Sequence, residues 1–360
     1  GEFAEHQLRA QAGAAKDFKG RTVFIPGNHD WYNDGPKGLK RQEEFVEDLL
    51  GKDSFLPENG CPITKVDIND ELVLIVVDSE WYMAKWDKYP GINDDCEFRN
   101  RNRFFDEYAS LIKKARGKTT VVAIHHPMYT NGPHGGQYSF KQHMTPLPGL
   151  GTLKNVIRKT GGVSPADQQH RRYTEFKDRI ITLSRENNKV VFVSGHEHNL
   201  QYLVDENLRQ IVSGSGSKIN PTRNVGYGLF SYGAQGYARL DVFKDGSSYV
   251  RFYTADNKLV FETDVFGKDI QREFSFSSYP DKAKSSVYKE SETSKSNFYE
   301  WLWGKKYRAL FSREIEVPTV NLDTLFGGLT PVRKGGGNQS NSLRFEDPEG
   351  REFMMRAIRK

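Results

Sequence analysis

The chain has 360 residues, enough to bury the core of one sizeable domain and to carry a smaller appendage. Its 52 basic and 47 acidic residues give a net charge of +5, and the basic residues are spread along the sequence, so charge alone predicts no nucleic-acid partner. A small anionic substrate is equally compatible with this mild positive charge. No apolar run approaches the ~18 residues of a membrane helix, and residues 1–20 lack the apolar stretch of a signal peptide.

Helices and strands alternate through the first half of the sequence. Hydrophobic periodicity predicts helices over residues 4–18, 37–50, 98–115 and 166–187. Strands are predicted over residues 21–26, 71–78, 119–124 and 189–194, and a long stretch rich in Gly and Pro, 127–165, follows the third of them. This alternation indicates a layered α/β fold.

After about residue 200 the pattern changes to short strands separated by turns, predicted over 209–213, 237–243, 248–254 and 258–265. We interpret these strands as an antiparallel finish to the same domain. Residues 277–297 are rich in Ser, Lys and Glu, a composition that buries little and predicts a linker. We therefore expect a domain over residues 1–276, a linker and Trp-containing segment over 277–316, and the start of a β-rich extension over 317–360.

Cys61 and Cys96 are the two cysteines of the chain, so a disulfide-dense scaffold and a four-cysteine zinc site are both excluded. Two separate thiols are the simpler expectation. A disulfide between them would require an oxidising compartment.

Three short polar segments each follow a predicted strand: residues 27–30 (GNHD), 125–127 (HHP) and 195–198 (GHEH). The carboxyl ends of the strands are where sites assemble in an open α/β sheet. Imidazole nitrogens and amide oxygens are ligands for divalent metals of intermediate softness. One histidine beside a strand is more often structural, but three such segments at one edge predict a metal centre. For the segment 195–198, we expect Gly195 to provide the bend that turns both of its histidines toward the site.

The order G-N-H-D, H-x-P and G-H-x-H resembles the second half of the motif set of the calcineurin-like metallophosphoesterases. The segment 195–203, GHEHNLQYL, is especially similar to the tartrate-resistant, purple-acid-phosphatase branch of that family. His134, nine residues after His125 and next to Gly135, stands where that branch keeps a histidine that faces the substrate. The resemblance covers about residues 20–265 and implies a metallophosphoesterase-type layered β-sandwich flanked by helices (αββα).

The resemblance also implies two divalent or mixed-valence metal ions, which could be Fe, Zn or Mn. Asn28, His125 and His196 would be ligands of one ion, and His198 would be a ligand of the other. His126 occupies a position that varies in the family, so we do not expect it to be a ligand.

Two further histidines, His29 and His134, would face the phosphate group according to the same resemblance. There an imidazolium can offset charge on the transferring group or protonate the leaving oxygen. Asp30 is expected to support the loop rather than to bind metal, and Asp78 resembles a family position that lies near the site without binding metal.

The sequence departs from the family at its beginning. Family members open with a D-x-H motif and a G-D pair, whose Asp bridges both metals, and this sequence contains neither. We therefore expect the domain to be truncated at its N-terminus and this fragment to be inactive. Two cations about 3.5–4 Å apart repel strongly unless anions lie between them. In the parent protein, a metal-bound hydroxide would hydrolyse phosphate mono- or diesters.

Two alternatives remain open. The chain could be a metal-free binding or scaffold protein on a phosphoesterase fold. It could also be part of a larger envelope protein with a second, C-terminal activity, because Gly335, Gly336 and Gly337 faintly resemble the glycine loop of a kinase-like lobe, although such glycines more often form only a turn. The linker and tail are similar to the extension of large bacterial envelope phosphoesterases, which implies a periplasmic or envelope location and possible further domains.

Overall fold

The computed structural model describes residues 2–267 except 33 and 163, together with the backbone of 330–331, 342–346 and 352–356. The chain divides into two units, Gly1–Ile270 and Gln271–Lys360. The helices of the first unit are α1 (Glu2–Ala15), α2 (Asn28–Trp31), α3 (Pro36–Leu50), α4 (Ser79–Met83), α5 (Arg101–Lys114), α6 (Phe140–Met144), α7 (Leu150–Gly161) and α8 (Arg171–Ser184). Its strands are β1 (Ile63–Asp67), β2 (Leu72–Val77), β3 (Thr119–Ile124), β4 (Val190–Ser194), β5 (Leu200–Asp205), β6 (Leu208–Ser213), β7 (Gly228–Tyr232), β8 (Gly236–Val242), β9 (Ser248–Thr254) and β10 (Leu259–Phe266).

A seven-stranded sheet with the order β1-β2-β3-β4-β6-β5-β7 forms the centre of this unit. Strands β2, β3, β4 and β6 run parallel, while β1, β5 and β7 pair antiparallel with their neighbours. The carboxyl ends of β3 and β4 therefore lie side by side at one edge of the sheet. Strands β8, β9 and β10 form a second, antiparallel sheet.

The two faces of the central sheet are covered by different layers. Val122 and Phe192 point to the face covered by helices, where they pack with Phe104 of α5 and Phe176 of α8. Val191, the neighbour of Phe192, points to the opposite face and joins a smaller apolar cluster with residues of the second sheet. Because adjacent strand residues face opposite sides of the sheet, an apolar run such as VVFV in β4 contributes buried side chains to the clusters on both faces. The mixed α/β fold with a large central sheet, expected from the sequence, is confirmed.

Several predicted elements have different limits in the structure. Residues 21–26 form a single bridge, between Phe24 and Phe55, instead of a strand. Hydrogen bonds join Phe24 only to Ser54 and Leu56, and a longer strand needs a neighbour with which to continue the ladder. The Gly- and Pro-rich stretch contains the helices α6 and α7, and Ser139 caps α6 through a hydrogen bond from the Gln142 amide. Strands β1, β5 and β7 were not predicted.

Cys61 and Cys96 form a disulfide bond, so the expectation of two separate thiols is wrong. The bond joins Cys61, two residues before β1, to Cys96 in the loop that precedes α5, 35 residues later in the chain. Only the tertiary fold brings the two sulfur atoms together, which is why spacing alone could not identify the pair.

The second unit contains three described strands, β11 (Thr330–Pro331), β12 (Ser342–Glu346) and β13 (Glu352–Arg356), which form an antiparallel sheet. The predicted linker and the three consecutive glycines lie outside the described residues. The boundaries at 276 and 316 stay predictions. Within the part of the chain that the structure describes, no helix has the length and apolar composition needed to cross a bilayer.

Candidate metal centre

Three polar side chains meet at the carboxyl edge of the parallel strands. Asn28 is the first residue of α2, His125 follows β3, and His196 lies two residues after β4. The Nε2 atom of His125 is 2.8 Å from Oδ1 of Asn28 and 3.2 Å from Nδ1 of His196. Three atoms that can ligate a metal therefore lie side by side.

The turn before α2 is shaped to admit His125. A methyl group on Gly27 would lie 2.5 Å from Nδ1 of His125, closer than two such atoms can pack. The Gly27 amide donates a 2.7 Å hydrogen bond to Oδ2 of Asp30, which closes the turn and positions Asn28 between them. Asp30 thus supports the loop.

The backbone of His196 has a left-handed conformation, with φ of 65°. Non-glycine residues rarely adopt this region, and such strain persists mainly where a functional site requires it. The expectation that Gly195 provides the bend is wrong, because the left-handed residue is His196 itself. Nε2 of His196 lies 3.0 Å from the carbonyl oxygen of Ala166. Donation from Nε2 to that oxygen leaves Nδ1, the atom that faces His125, free to ligate a metal.

The structure also places His126 in this group. Its ligand atom and those of His125 and His196 lie within 4.8 Å of one another. The His126 side chain is buried, with Nδ1 2.8 Å from the hydroxyl of Ser79 and Nε2 4.0 Å from a carboxyl oxygen of Glu80. His126, which the sequence analysis did not expect to be a ligand, is therefore close enough to a shared ion to serve as one.

Burial keeps these imidazoles neutral. It lowers the pKa of His125 to about 3, with a further contribution from the charges of His29 and His198. It also lowers the pKa of His126 and of His196 well below the ordinary value. The neutral imidazole is the form that binds metal ions.

Two carboxyl groups, that of buried Asp78 and that of half-buried Glu80, lie near the same histidines. Burial raises the pKa of Asp78 to about 7, and burial together with the charge of Asp78 raises the pKa of Glu80 to about 8. Asp78 accepts hydrogen bonds from the indole of Trp31 and from the amides of Glu80 and Trp81, and so caps α4. Asp78 fixes the positions of α2 and α4 and makes no direct contact with the ligand group.

His134 lies beside this group but has different partners. Its ring centroid is 4.3 Å from that of His196, and its Nδ1 is 3.0 Å from Oδ1 of Asp167. Asp167 is fully buried and also accepts two hydrogen bonds from Arg158, of 2.6 and 3.0 Å. Burial alone would raise the pKa of Asp167, but the hydrogen bonds from His134 and Arg158 hold it below the ordinary value.

Glu197, between the two histidines of the G-H-E-H segment, makes hydrogen bonds to the loop after β3 and orders that loop. Its Oε1 atom accepts hydrogen bonds from the His134 amide at 2.8 Å and from the hydroxyl of Thr130 at 3.2 Å. A methyl group on Gly132 would lie 2.3 Å from Oε2 of Glu197, so glycine is required at that position. Glu197 thus sets the backbone that carries His134.

The two remaining predicted site residues flank the group. His29 is exposed and packs against the ring of Tyr32, with centroids 4.9 Å apart. His198 is half-buried, and its Nδ1 lies 3.2 Å from the side-chain nitrogen of Asn220. Within the described residues neither makes a hydrogen bond to Asn28, His125 or His196. Their assigned roles, like those of the other site residues, stay predictions.

The sequence analysis missed Arg158, Asp167 and Glu197. Arg158 and Asp167 lie between β3 and β4, and an acidic residue such as Asp167 at the start of a predicted helix (166–187) indicates only a favourable charge at the helix N-terminus. Their contacts with His134 depend on tertiary folding. Glu197 could have been singled out, because it stands inside the G-H-E-H motif itself.

Comparison with known proteins agrees with this geometry. A family profile described as calcineurin-like phosphoesterase matches residues 3–214, more than half of the chain. The chain belongs to this family. The chain is similar to tartrate-resistant acid phosphatase type 5 from Oryctolagus cuniculus, with 37% identity over 83 residues, which are 20% of this chain and 25% of that protein.

The phosphatase of the same name from Sus scrofa is 31% identical over 96 residues, covering 24% of this chain and 28% of its own length. The chain thus spans about a quarter of the length of these relatives. Among solved structures, GAP50, the anchor in the inner membrane complex of Plasmodium, is similar over 57% of this chain and 54% of its own, with 15% identity and a TM-score of 0.33.

Proposed function

We propose that the protein to which this chain belongs is a binuclear metal-dependent phosphoesterase that hydrolyses phosphate mono- or diesters. The observation that carries the proposal is the meeting of Asn28, His125 and His196 at the carboxyl ends of β3 and β4. Family membership supports hydrolysis of phosphoric esters. The substrate, the number of ions and their identity belong to the proposal.

The residues present fit a metal ion. Burial lowers the pKa of His125 and of His196 so that both are neutral, and the nitrogens that face each other are 3.2 Å apart, with the amide oxygen of Asn28 2.8 Å from the same His125 nitrogen. Asn28, His125 and His196 would hold one ion, with His126 within reach, and His198 would bind its neighbour. When bound, the two ions would lower the pKa of water and offset the charge of the phosphate group.

The chain's own residues would supply the remaining chemistry. If Nδ1–H of His134 donates a hydrogen bond to Asp167, the imidazolium form of His134 carries its second proton on Nε2, which can hold a phosphate oxygen or be given to the leaving group. Arg158 and Glu197 fix the two ends of this arrangement, since Arg158 holds the carboxylate and Glu197 holds the His134 amide. His29, exposed at the start of α2, would meet the substrate from the opposite side.

The 360-residue chain should bind a pair of metals weakly. Its sequence has no D-x-H and no G-D motif, and hence no carboxylate from those motifs to lie between two cations. We propose that the chain by itself is slow or inactive. The Cys61–Cys96 disulfide supports placing it in an oxidising compartment, such as the periplasm or cell envelope.

The test is metal-dependent hydrolysis of p-nitrophenyl phosphate and of bis-p-nitrophenyl phosphate. The chain would be assayed with Mn, Zn or Fe, alone and in a form extended at its N-terminus by strands that carry D-x-H and G-D. The expected result is turnover in the extended form with added metal and little in the shorter one. An extended form that binds no metal and hydrolyses neither ester would instead favour a metal-free scaffold protein.

A further inference from the structure

We infer that a cationic pocket beside the metal centre receives the organic part of the substrate, and that the favoured esters carry a second anionic group there. This inference rests on the proposed function, because the organic part of the substrate is a leaving group only if the protein hydrolyses phosphate esters. It adds a class of substrate that neither the family nor the ligand residues specify.

The pocket has a volume of about 420 Å³, and three of its lining residues contact the candidate metal centre or are adjacent in sequence to a residue that does. The hydroxyl of Tyr32, a lining residue, accepts a hydrogen bond from Asn28. A second lining residue, Glu80, lies 4.0 Å from His126. A third, Pro165, directly precedes Ala166, whose carbonyl oxygen meets His196. An ester held at the metal ligands would therefore have its organic group next to this pocket.

Positive charge predominates in the lining. Lys85, Lys88, Arg171 and Arg172 line the pocket, and Glu80, at the end nearest His126, is the acidic residue of the lining. Lys85, Lys88 and Arg171 are exposed, and none of the three forms an ion pair with another described residue. Their charge is therefore available to a ligand, and a concave surface lined by one sign of charge concentrates ligands of the other sign.

The wall that carries these cations is rigid on one side. Arg172 donates hydrogen bonds to the carbonyl oxygens of Met83, at 3.1 Å, and Ala84, at 2.9 Å. Arg101 donates to the same Ala84 oxygen at 2.8 Å. The backbone immediately before Lys85 is thereby fixed, which reduces the conformational entropy lost when a ligand binds.

Aromatic rings complete the pocket. Tyr32 and Tyr89 both line it, and Tyr89 packs against Trp31 with ring centroids 6.1 Å apart. A flat ring can lie against such side chains while its charged substituent meets the lysines. The chemistry of the lining therefore points to an aromatic leaving group that bears a carboxylate or a second phosphate.

Binding of two phosphonates, which cannot be hydrolysed, tests the pocket without turnover. Titration calorimetry on the 360-residue chain in EDTA would compare 4-carboxyphenylphosphonate with phenylphosphonate. We expect the first to bind about fivefold more tightly, the scale of an exposed charge pair, and this ratio to fall toward one at 0.5 M salt. The double variant Lys85→Gln/Lys88→Gln should lose the preference.

The matched control is Lys113→Gln/Lys114→Gln, which removes two exposed lysines from the end of α5, next to the amino ends of the strands. It should keep the preference. Equal affinities in the unaltered chain, no measurable binding of either compound, or an unchanged preference in Lys85→Gln/Lys88→Gln would each overturn the inference.

The corresponding esters, 4-carboxyphenyl phosphate and phenyl phosphate, separate this inference from the proposed function. If the extended form hydrolyses both at equal kcat/KM, the enzyme assignment stands and the pocket inference is wrong. In a second outcome, the chain prefers 4-carboxyphenylphosphonate and Lys85→Gln/Lys88→Gln loses this preference, but no form of the protein hydrolyses an ester. The pocket then binds anions as stated, and the proposed function is wrong.

Discussion

Two groups of side chains, one built around His125 and His196 and the other around His134, share one edge of the central sheet and have opposite surroundings. The neighbours of His125 and His196 are other imidazoles and an amide oxygen, and burial keeps both rings neutral. His134, whose ring is 4.3 Å from that of His196, is instead held by the carboxylate of Asp167. The first group is therefore suited to a cation and the second to a proton or a phosphate oxygen. Histidines that lie side by side are therefore suited to different roles because their partners differ, and changing a single partner should affect one role more than the other.

The largest effect is expected from His196→Ala. If the first group holds a metal, removal of this imidazole should abolish binding of one ion per chain, because a ligand is lost from a set of three or four. Metal content after dialysis, and the rise in Tm on addition of Zn or Mn, measure the effect. His6→Ala, which removes an exposed histidine of α1, is the matched control. Equal metal content in both variants would contradict the role of His196.

Asp167→Asn should separate the second group from the first. The variant should keep its metal and lose about 10- to 100-fold in kcat, since His134 would no longer be oriented by a charged partner. KM should change less than kcat, and Asp167→Glu should restore part of the rate. These values would be measured in a form that turns over. A loss of metal equal to that of His196→Ala would show that the two groups act as one.

Gly27→Ala probes the packing of the first group. The added methyl would meet the His125 ring at 2.5 Å, and displacement of the ring should destabilise the fold by about 1–3 kcal/mol. Gly13→Ala, on α1 with nothing within 4 Å, should be neutral or stabilising. Urea denaturation of both variants decides the matter. If Gly27→Ala is as stable as the parent and keeps its metal affinity, His125 does not depend on this close contact.

The smallest effect concerns the acidic neighbour of His126. Because the folded pKa of Glu80 is raised to about 8, the folded state holds a proton that the unfolded state has released above about pH 4.5. Stability is therefore lost as pH rises toward 8. Glu80→Gln should remove about 1–2 kcal/mol of this dependence between pH 6 and 8 in EDTA. If the free energy of unfolding depends on pH to the same extent in Glu80→Gln and in the unaltered chain between pH 6 and 8, the Glu80 carboxyl group is ionised throughout this range.

The sequence predicted the parallel part of the sheet well, because strands such as VVAI and VVFV are buried on both faces and have few alternatives. It failed for residues 21–26, whose strand character depends on a neighbour, and for Cys61 and Cys96, which only the fold brings together. In the candidate site, the sequence identified the residues at strand ends but not Arg158 or Asp167. These two lie between β3 and β4, and nothing in their local sequence indicates contact with His134.

The connection between β3 and β4 bears on how proteins with this site could diversify. Parallel strands need a crossover of roughly a dozen residues or more, but a longer crossover leaves their pairing unchanged, and the predicted ligands His125 and His196 lie just beyond the ends of β3 and β4. Arg158 lies on α7 and Asp167 lies between α7 and α8, so both belong to that connection. Changes to the part of the connection that contains Arg158 and Asp167 can therefore replace the partner of His134. Such changes would leave the predicted ligands His125 and His196 in place. Evolution or an engineer could alter the reactivity of the site by substituting a single contiguous stretch of chain.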